Sequence, residues 1–84
     1  MFVPLDGPEF PANAFRFRDR LIRYTYRVDA ISGIVGGVDI DAKLEDADGE
    51  ERIYTLRGEW HSKEEALSAA QKWTIRHFDR AQEE

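Results

Sequence analysis

The feature that most constrains the fold is an amphipathic helix in the C-terminal third of the chain. Ser62-Lys63-Glu64-Glu65 fits a capping box, in which the serine hydroxyl accepts from the glutamate N–H and the glutamate side chain reaches back. Apolar residues then recur at helical spacing along one stripe. The stripe comprises Ala66, Leu67, Ala70, Trp73, Thr74, His77, Phe78 and Ala81. The pattern predicts a helix from Lys63 to about Arg80 that must bury this stripe against another element.

Residues 15–31 show the period-two alternation of a half-buried strand, with arginines between aromatic and branched residues. The apolar residues change from odd to even positions within this segment. Because a shift of one residue moves every side chain to the other face, the change predicts a bulge or turn near Arg18-Asp19-Arg20-Leu21. Ser32-Gly33 then predicts a chain reversal.

Two further segments show the same alternation. Residues 34–45 form the second predicted strand, and the tandem Gly36-Gly37 near its start indicates a bulge or a bend. The stretch Asp46-Ala47-Asp48-Gly49-Glu50 predicts a tight turn, because Asp-Gly readily supplies the positive φ angles that hairpins require. Residues 51–60 form the third predicted strand.

These elements predict an α+β fold. Short connections favour pairing between sequential strands, so we expect a three-stranded antiparallel meander sheet with one C-terminal helix packed on one face, in the order β-β-β-α. All three prolines fall within residues 1–14, where they exclude a helix or a central strand. This segment is predicted to be an extended or disordered arm, followed by a single domain over residues 15–81 and a frayed end over residues 82–84.

The composition excludes several classes of protein. A length of 84 residues suits one domain, and the absence of cysteine excludes disulfides and thiolate metal sites. No apolar run approaches the ~20 residues of a membrane helix. The net charge of −5 argues against a general nucleic-acid binder. Because the first residues lack the basic and apolar regions of a secretory signal, we expect a cytoplasmic protein.

The charges are unevenly divided between two neighbouring predicted strands. Residues 15–27 hold five arginines and one aspartate, whereas residues 38–51 hold seven acids and one lysine. Cross-strand ion pairing is the favoured interpretation. The alternative is a polyanion-binding or partner-binding surface, because guanidinium groups and stacking rings suit single-stranded nucleic acid. Its candidate residues are Arg16, Arg18, Arg20, Arg23, Tyr24, Tyr26 and Arg27.

The residue types that bind metals do not form a recognisable motif. Asp46-x-Asp48-Gly49 resembles half of a calcium loop, but Leu44 would take the first position, which requires an oxygen ligand, and Thr55 the twelfth, which requires glutamate. His61 and His77 lie about four turns apart, too far to share an ion. We interpret them as a solvated flank and as a core or rim residue. No nucleophile–base pair is evident, so we expect no metal, no cofactor and no enzyme activity.

Apolar residues outside the predicted core supply a second candidate contact surface. Four lie in the arm and one lies on the polar side of the helix: Phe2, Val3, Leu5, Phe10 and Ile75. A single exposed apolar residue is common in soluble proteins, but several together indicate a binding surface. We therefore expect these residues to contact a partner.

The stretch from Gly58 to Ala70, with the meander before it, resembles the third strand and second helix of a double-stranded-RNA-binding domain over roughly residues 22–78. That family begins with a helix, where this chain has a proline-rich arm. Its helix start is lysine-rich, whereas Glu64 and Glu65 here would repel phosphates. The resemblance thus implies the β-β-β-α topology without RNA binding. The chain also resembles small uncharacterised bacterial domains in which a Ser-x-x-Glu-Ala-Leu helix follows a strand, and this implies no activity.

The sequence therefore predicts a non-catalytic protein-interaction module that meets another protein through its open sheet face, a strand edge or the arm. We expect a monomer or weak homodimer, with no membrane contact and with nucleic acid as the less favoured partner. Two alternatives remain: nucleic-acid binding through residues 15–27, and a small metal-dependent enzyme that uses His61.

Overall fold

The architecture is a meander sheet with one helix on one face. A computed structural model describes residues 2–5, 13–44 and 48–83, the side chains of 81–83 excepted. Its elements are β1 (Phe2–Pro4), β2 (Ala14–Phe17), β3 (Arg20–Val28), β4 (Val35–Leu44), β5 (Glu51–Trp60) and α1 (Lys63–Glu83). The antiparallel sheet has the order β1-β2-β3-β4-β5, and α1 packs on β3, β4 and β5. The predicted α+β class, antiparallel meander and C-terminal helix are confirmed.

Within residues 2–5, 13–44 and 48–83 the sheet has five strands, so the prediction of three was wrong. The segment 15–31 forms two of them, because the chain reverses at Arg18 and Asp19, with Arg18 at a φ of 59°. The hairpin pairs Phe15 with Ile22 and Phe17 with Arg20. Since directly paired residues share a face, the odd apolar positions of β2 and the even ones of β3 lie on the same side. The change of phase thus marks the predicted turn rather than a bulge within one strand.

The remaining additional strand comes from the segment that was predicted to be an arm. Phe2–Pro4 pairs with β2, and its proline is tolerated because β1 lies at the edge of the sheet. The Phe2 ring stacks on Phe17, with 4.5 Å between the ring centroids, and meets Phe15 edge-on at 6.1 Å. These aromatic contacts explain why a proline-containing segment joins the sheet. Residues 6–12 lie outside the described part of the chain.

The core lies between α1 and the sheet. The helix contributes a row at four-residue spacing: Ala66, Ala70, Thr74 and Phe78, all buried. The small alanines allow α1 to approach the sheet closely. Opposite them lie the largest buried residues of the sheet: Phe17, Ile22, Tyr24, Val35, Val38 and Ile40. Leu67 and Trp73 pack against this cluster from the sides of the helix, as the apolar stripe predicted.

A hydrogen-bonded chain crosses this core. The Tyr24 hydroxyl lies 2.8 Å from the Thr74 hydroxyl, which donates to the Ala70 carbonyl at 2.8 Å. Because the single hydroxyl hydrogen of Thr74 points to that carbonyl, Tyr24 must be the donor to Thr74. Burial raises the pKa of Tyr24 well above its ordinary value, which keeps the donor protonated.

The start of α1 confirms the predicted capping box. The Glu65 N–H donates to the Ser62 hydroxyl at 3.1 Å. The Glu65 carboxylate accepts in return from the N–H of His61 at 3.0 Å, one residue before the cap. The helix extends to Glu83, three residues beyond the predicted end at Arg80.

Both long strands that follow the β3–β4 loop are irregular. The register between β3 and β4 shifts so that Val28 faces Val35 and Arg27 faces Gly37, which leaves Gly36 unmatched and confirms the predicted bulge. In β5, Tyr54 faces Ile40 and Arg52 faces Asp41, so Ile53 is the extra residue. The second bulge brings Ile53 against the core, which strict alternation along β5 did not predict.

Candidate functional site

The residues predicted as one polyanion surface are divided between the two faces of the sheet. Arg20, Tyr24 and Tyr26 lie on the face covered by α1, where Tyr24 is only 2% exposed and cannot stack on a base. Arg18 lies in the turn between β2 and β3 and forms an ion pair with Asp79 of α1. The combination of arginines with stacking rings that suggested single-stranded nucleic acid is therefore not brought together.

The other members of that set, Arg16, Arg23 and Arg27, lie on the open face of the sheet. Arg27 Nε donates to the Asp39 carboxylate at 3.1 Å, and Arg23 Nη1 lies 3.0 Å from the Glu50 carboxylate. The predicted pairing between the basic and acidic strands is thus confirmed for Arg23 and Arg27. An arginine that is neutralised in this way attracts a polyanion less strongly than a free one.

Asp39 is the centre of a network on the open face. Its carboxylate accepts from Arg27 and, at 2.9 Å, from the Thr55 hydroxyl. Arg52 lies 3.7 Å from the same carboxylate and bonds Asp41 at 2.7 Å. Burial alone would raise the pKa of Asp39, but the bonds from Arg27 and Thr55 and the charge of Arg52 outweigh it, so the pKa is below its ordinary value. The network therefore stabilises the sheet.

The predicted apolar contact surface is also dispersed. Phe2 packs into the aromatic cluster with β2, and Leu5 is half-buried. Val3 is 52% exposed and lies on the open face, since it alternates with Phe2 along β1. Ile75 is 39% exposed on α1, on the other side of the sheet. Phe10 lies outside the described residues, so its predicted contact is not placed.

The structure places only part of the candidate metal ligands. Asp46 lies outside the described residues, and His61 is exposed. Across residues 2–5, 13–44 and 48–83, no three His, Asp or Glu side chains gather closely enough to hold a metal ion. His77 is exposed, and its ring contacts Trp73 and Phe78, in keeping with a rim position.

Three rings form a stack that the sequence did not reveal. The ring of Tyr54 on β5 lies 4.5 Å from the ring of Trp73 on α1, at an interplanar angle of 9°. His77, one turn further along α1, stacks on Trp73 at 4.8 Å and 11°. Tyr54 is 44% exposed, although it shares the helix-covered face with Ile40. The spacing of Trp73 and His77 permits stacking, but Tyr54 is brought to them only by the packing of α1 on the sheet.

A shallow hollow of about 170 Å³ lies beside this stack, lined by Trp73, Arg76, His77 and Arg80. A larger hollow of about 580 Å³ lies by the β3–β4 loop, but the arginine in its wall, Arg27, already bonds Asp39. Both cations of the smaller hollow, Arg76 and Arg80, lack an acid partner among the described residues.

The stack borders one edge of the sheet. β5 is ten residues long and pairs with β4 on one side. In the part of the chain that the structure describes, no strand pairs with its other side. Alternate N–H and C=O groups along that edge therefore point outwards, as in any terminal strand. This edge and the ring stack together form the candidate site.

Comparisons with known protein families, with curated proteins and with solved structures found no match. They therefore lend no support to the resemblance to double-stranded-RNA-binding domains or to bacterial domains, although the order β3-β4-β5-α1 agrees with the implied topology. Among the described residues, no helix has both the length and the apolar character that crossing a membrane requires.

Proposed function

We propose that this protein is a non-catalytic protein-interaction module that accepts an extended segment of a partner protein along the free edge of β5. The observation that carries the proposal is the placement of the exposed stack of Tyr54, Trp73 and His77 beside that edge. In strand addition, backbone hydrogen bonds supply affinity, and alternate side chains of the added segment supply specificity. Here, those on the helix side would meet the stack.

The geometry of β5 suits a short segment. The bulge at Ile53 and the irregular register near Gly58 leave a regular run from Tyr54 to Arg57. Bulges twist an edge and oppose indiscriminate pairing, so they favour selective binding over aggregation. The opposite edge, β1, has three residues and ends in a proline, which cannot donate to an added strand. In this proposal the free protein is a cytoplasmic monomer or weak homodimer.

The ring stack supports the proposal energetically. Aromatic side chains offer a large contact area with few rotatable bonds, and stacking holds these three in place before binding. A surface that is ordered in advance loses less entropy when a partner is bound.

The test uses a displayed library of random nine-residue peptides, selected on the whole protein. Synthetic copies of the selected peptides are then added while backbone amide exchange is followed by NMR. We expect slower exchange at alternate amides between Tyr54 and Arg57. As a matched control, each peptide is N-methylated at either its odd or its even positions. Only the set that faces β5 should abolish binding, because only those N–H groups donate to the strand.

Two results would count against strand addition. The first is peptide binding that leaves the amide exchange of β5 unchanged. The second is binding that tolerates both N-methylation patterns equally, since this would show that backbone pairing is not used. A library that yields no binder at all would likewise reject the proposal.

A further inference from the structure

The hollow on α1 is lined by two positively charged side chains, whereas the chain as a whole carries a net negative charge. Acids outnumber bases by 17 to 12 in the chain, and several arginines elsewhere form ion pairs, as Arg18, Arg23 and Arg27 show. Within the described ranges, Arg76 and Arg80 form no ion pair and no hydrogen bond. Two uncompensated guanidinium groups therefore flank an exposed ring stack in an otherwise acidic protein.

Helix stability does not explain why arginines occupy both positions 76 and 80. Arg76 and Arg80 are four residues apart, a spacing at which like charges destabilise a helix. Arg80 lies in the last turn, where a cation interacts favourably with the helix dipole. Arg76 lies a turn earlier, where that effect has fallen away.

The lining residues place the hollow on the flank of α1 that carries Trp73. Trp73, Arg76, His77 and Arg80 follow a spacing of three or four residues, so they lie on one flank of α1. It is the flank on which Trp73 meets Tyr54 of β5. A side chain that rises towards the helix from a segment on β5 would therefore approach both guanidinium groups.

We propose that this hollow binds a carboxylate side chain of the segment added to β5, so that the partner is an acidic peptide. The inference rests on the proposed function and specifies the chemistry of its partner. A guanidinium group donates two parallel hydrogen bonds to a carboxylate, and the rings of Trp73 and His77 supply a wall that partly shields the contact from water. Charge complementarity thus selects an aspartate or glutamate.

The experiment compares Arg76→Gln and Arg80→Gln with the matched control Lys72→Gln. Lys72 is exposed on the same helix and does not line the hollow, so its replacement removes equal charge from outside the site. Peptides selected from the random library should carry an acid at one position. Each arginine substitution should weaken their binding roughly 3- to 10-fold, whereas Lys72→Gln should change it less than 2-fold. Thermal unfolding should show that all three variants remain folded.

The peptide supplies the second half of the test. Replacing its conserved acid with glutamine should weaken binding to the unmodified protein, and the loss should largely disappear in the Arg76→Gln, Arg80→Gln double variant. A peptide with phosphoserine in place of the acid tests the other anion. If it binds more tightly through the same two arginines, the carboxylate assignment is overturned in favour of a phosphorylated partner.

The outcomes separate this inference from the proposed function. Peptides that protect the amides of β5 but show no acidic preference and no response to Arg76→Gln or Arg80→Gln would overturn the acidic partner and leave strand addition standing. Peptides that need both arginines without protecting β5 would reject strand addition and confine the site to the hollow.

Discussion

Each face of the sheet buries a polar side chain, but the groups that contact these two side chains differ. On the helix-covered face, Tyr24 bonds Thr74 beneath α1. On the open face, Asp39 is only 6% exposed although no secondary-structure element among the described residues covers it. Its carboxylate is instead contacted by the charged groups of Arg27 and Arg52 and by the Thr55 hydroxyl.

This difference shows how the two faces of the sheet are stabilised when α1 covers only one of them. The helix-covered face is buried by apolar packing, whereas the open face carries ion pairs between charged side chains of neighbouring strands. The arginines at the flank of α1 belong to neither arrangement, since Arg76 and Arg80 neither cover a core nor pair with an acid in the described structure. Their position together beside the ring stack, without an acid partner, supports the proposed binding role.

The largest expected effect lies on the helix-covered face. Ile40→Ala should lower the free energy of unfolding by about 2–5 kcal/mol, because it leaves a cavity at a fully buried position. Leu44→Ala, on the same strand but 47% exposed, should cost less than about 1 kcal/mol. Urea denaturation measures both. Equal losses would show that the apolar face is not packed as described.

The hydrogen-bonded chain on the same face should respond asymmetrically. Thr74→Val leaves the buried Tyr24 hydroxyl without an acceptor and should cost about 1–3 kcal/mol. Tyr24→Phe removes only the donor to a hydroxyl that keeps its bond to Ala70, and should cost about 0.5–1.5 kcal/mol. Denaturation of both variants and of the double variant checks this. The reverse order of losses would contradict the assigned donor.

The open face should depend on pH and salt. Asp39→Asn should lower the free energy of unfolding by about 1 kcal/mol at pH 7, a value reduced for the exposure of the paired arginines. Because pairing lowers the pKa of Asp39, its contribution is present above the ordinary value of 3.8 and is lost as pH falls through the lower value of the folded state. The difference between the variant and the unmodified protein should therefore shrink below pH 3.8 and in 1 M salt.

The matched control for this prediction is Asp48→Asn. Asp48 is an exposed acid, so its replacement should leave stability nearly unchanged at pH 7. If both variants lost stability equally, the effect would reflect net charge rather than the network around Asp39.

The smallest effect concerns single exposed arginines. Arg18→Gln breaks the pair with Asp79 and should lower the free energy of unfolding by about 0.2–1 kcal/mol. Arg76→Gln should leave it within about 0.5 kcal/mol, because no partner is lost and a like-charge contact is removed. Denaturation at low salt compares them. A larger loss for Arg76→Gln would show that this arginine has a structural role.

Local signals explain what could be predicted. Ser62 and Glu65 define the start of α1, the bounds 51–60 match β5, and Gly36 marks the bulge, because each depends on residues close together in the chain. The turn at Arg18 was indicated by the change of phase. It was not recognised as a hairpin because it contains no glycine, and the pairing of β2 with β3 holds Arg18 at a positive φ.

The candidate site was much less predictable. The stripe at helical spacing shows that Trp73 and His77 lie near the sheet, but it does not determine which members face the strands directly. That depends on how α1 is rotated about its axis and placed on the sheet. In the structure the row from Ala66 to Phe78 faces the sheet, and Trp73 lies at the side. The contact with Tyr54 is long-range and therefore absent from any local pattern.

The sequence by itself determined β4, β5, α1 and the turn at Arg18, because capping, alternation and turn chemistry act over a few residues. The tertiary structure decided that β1 and β2 joined the sheet, which arginines paired with acids, and which rings stacked between β5 and α1. Those outcomes depend on packing and charge pairing between residues far apart in the chain, which no local sequence pattern specifies.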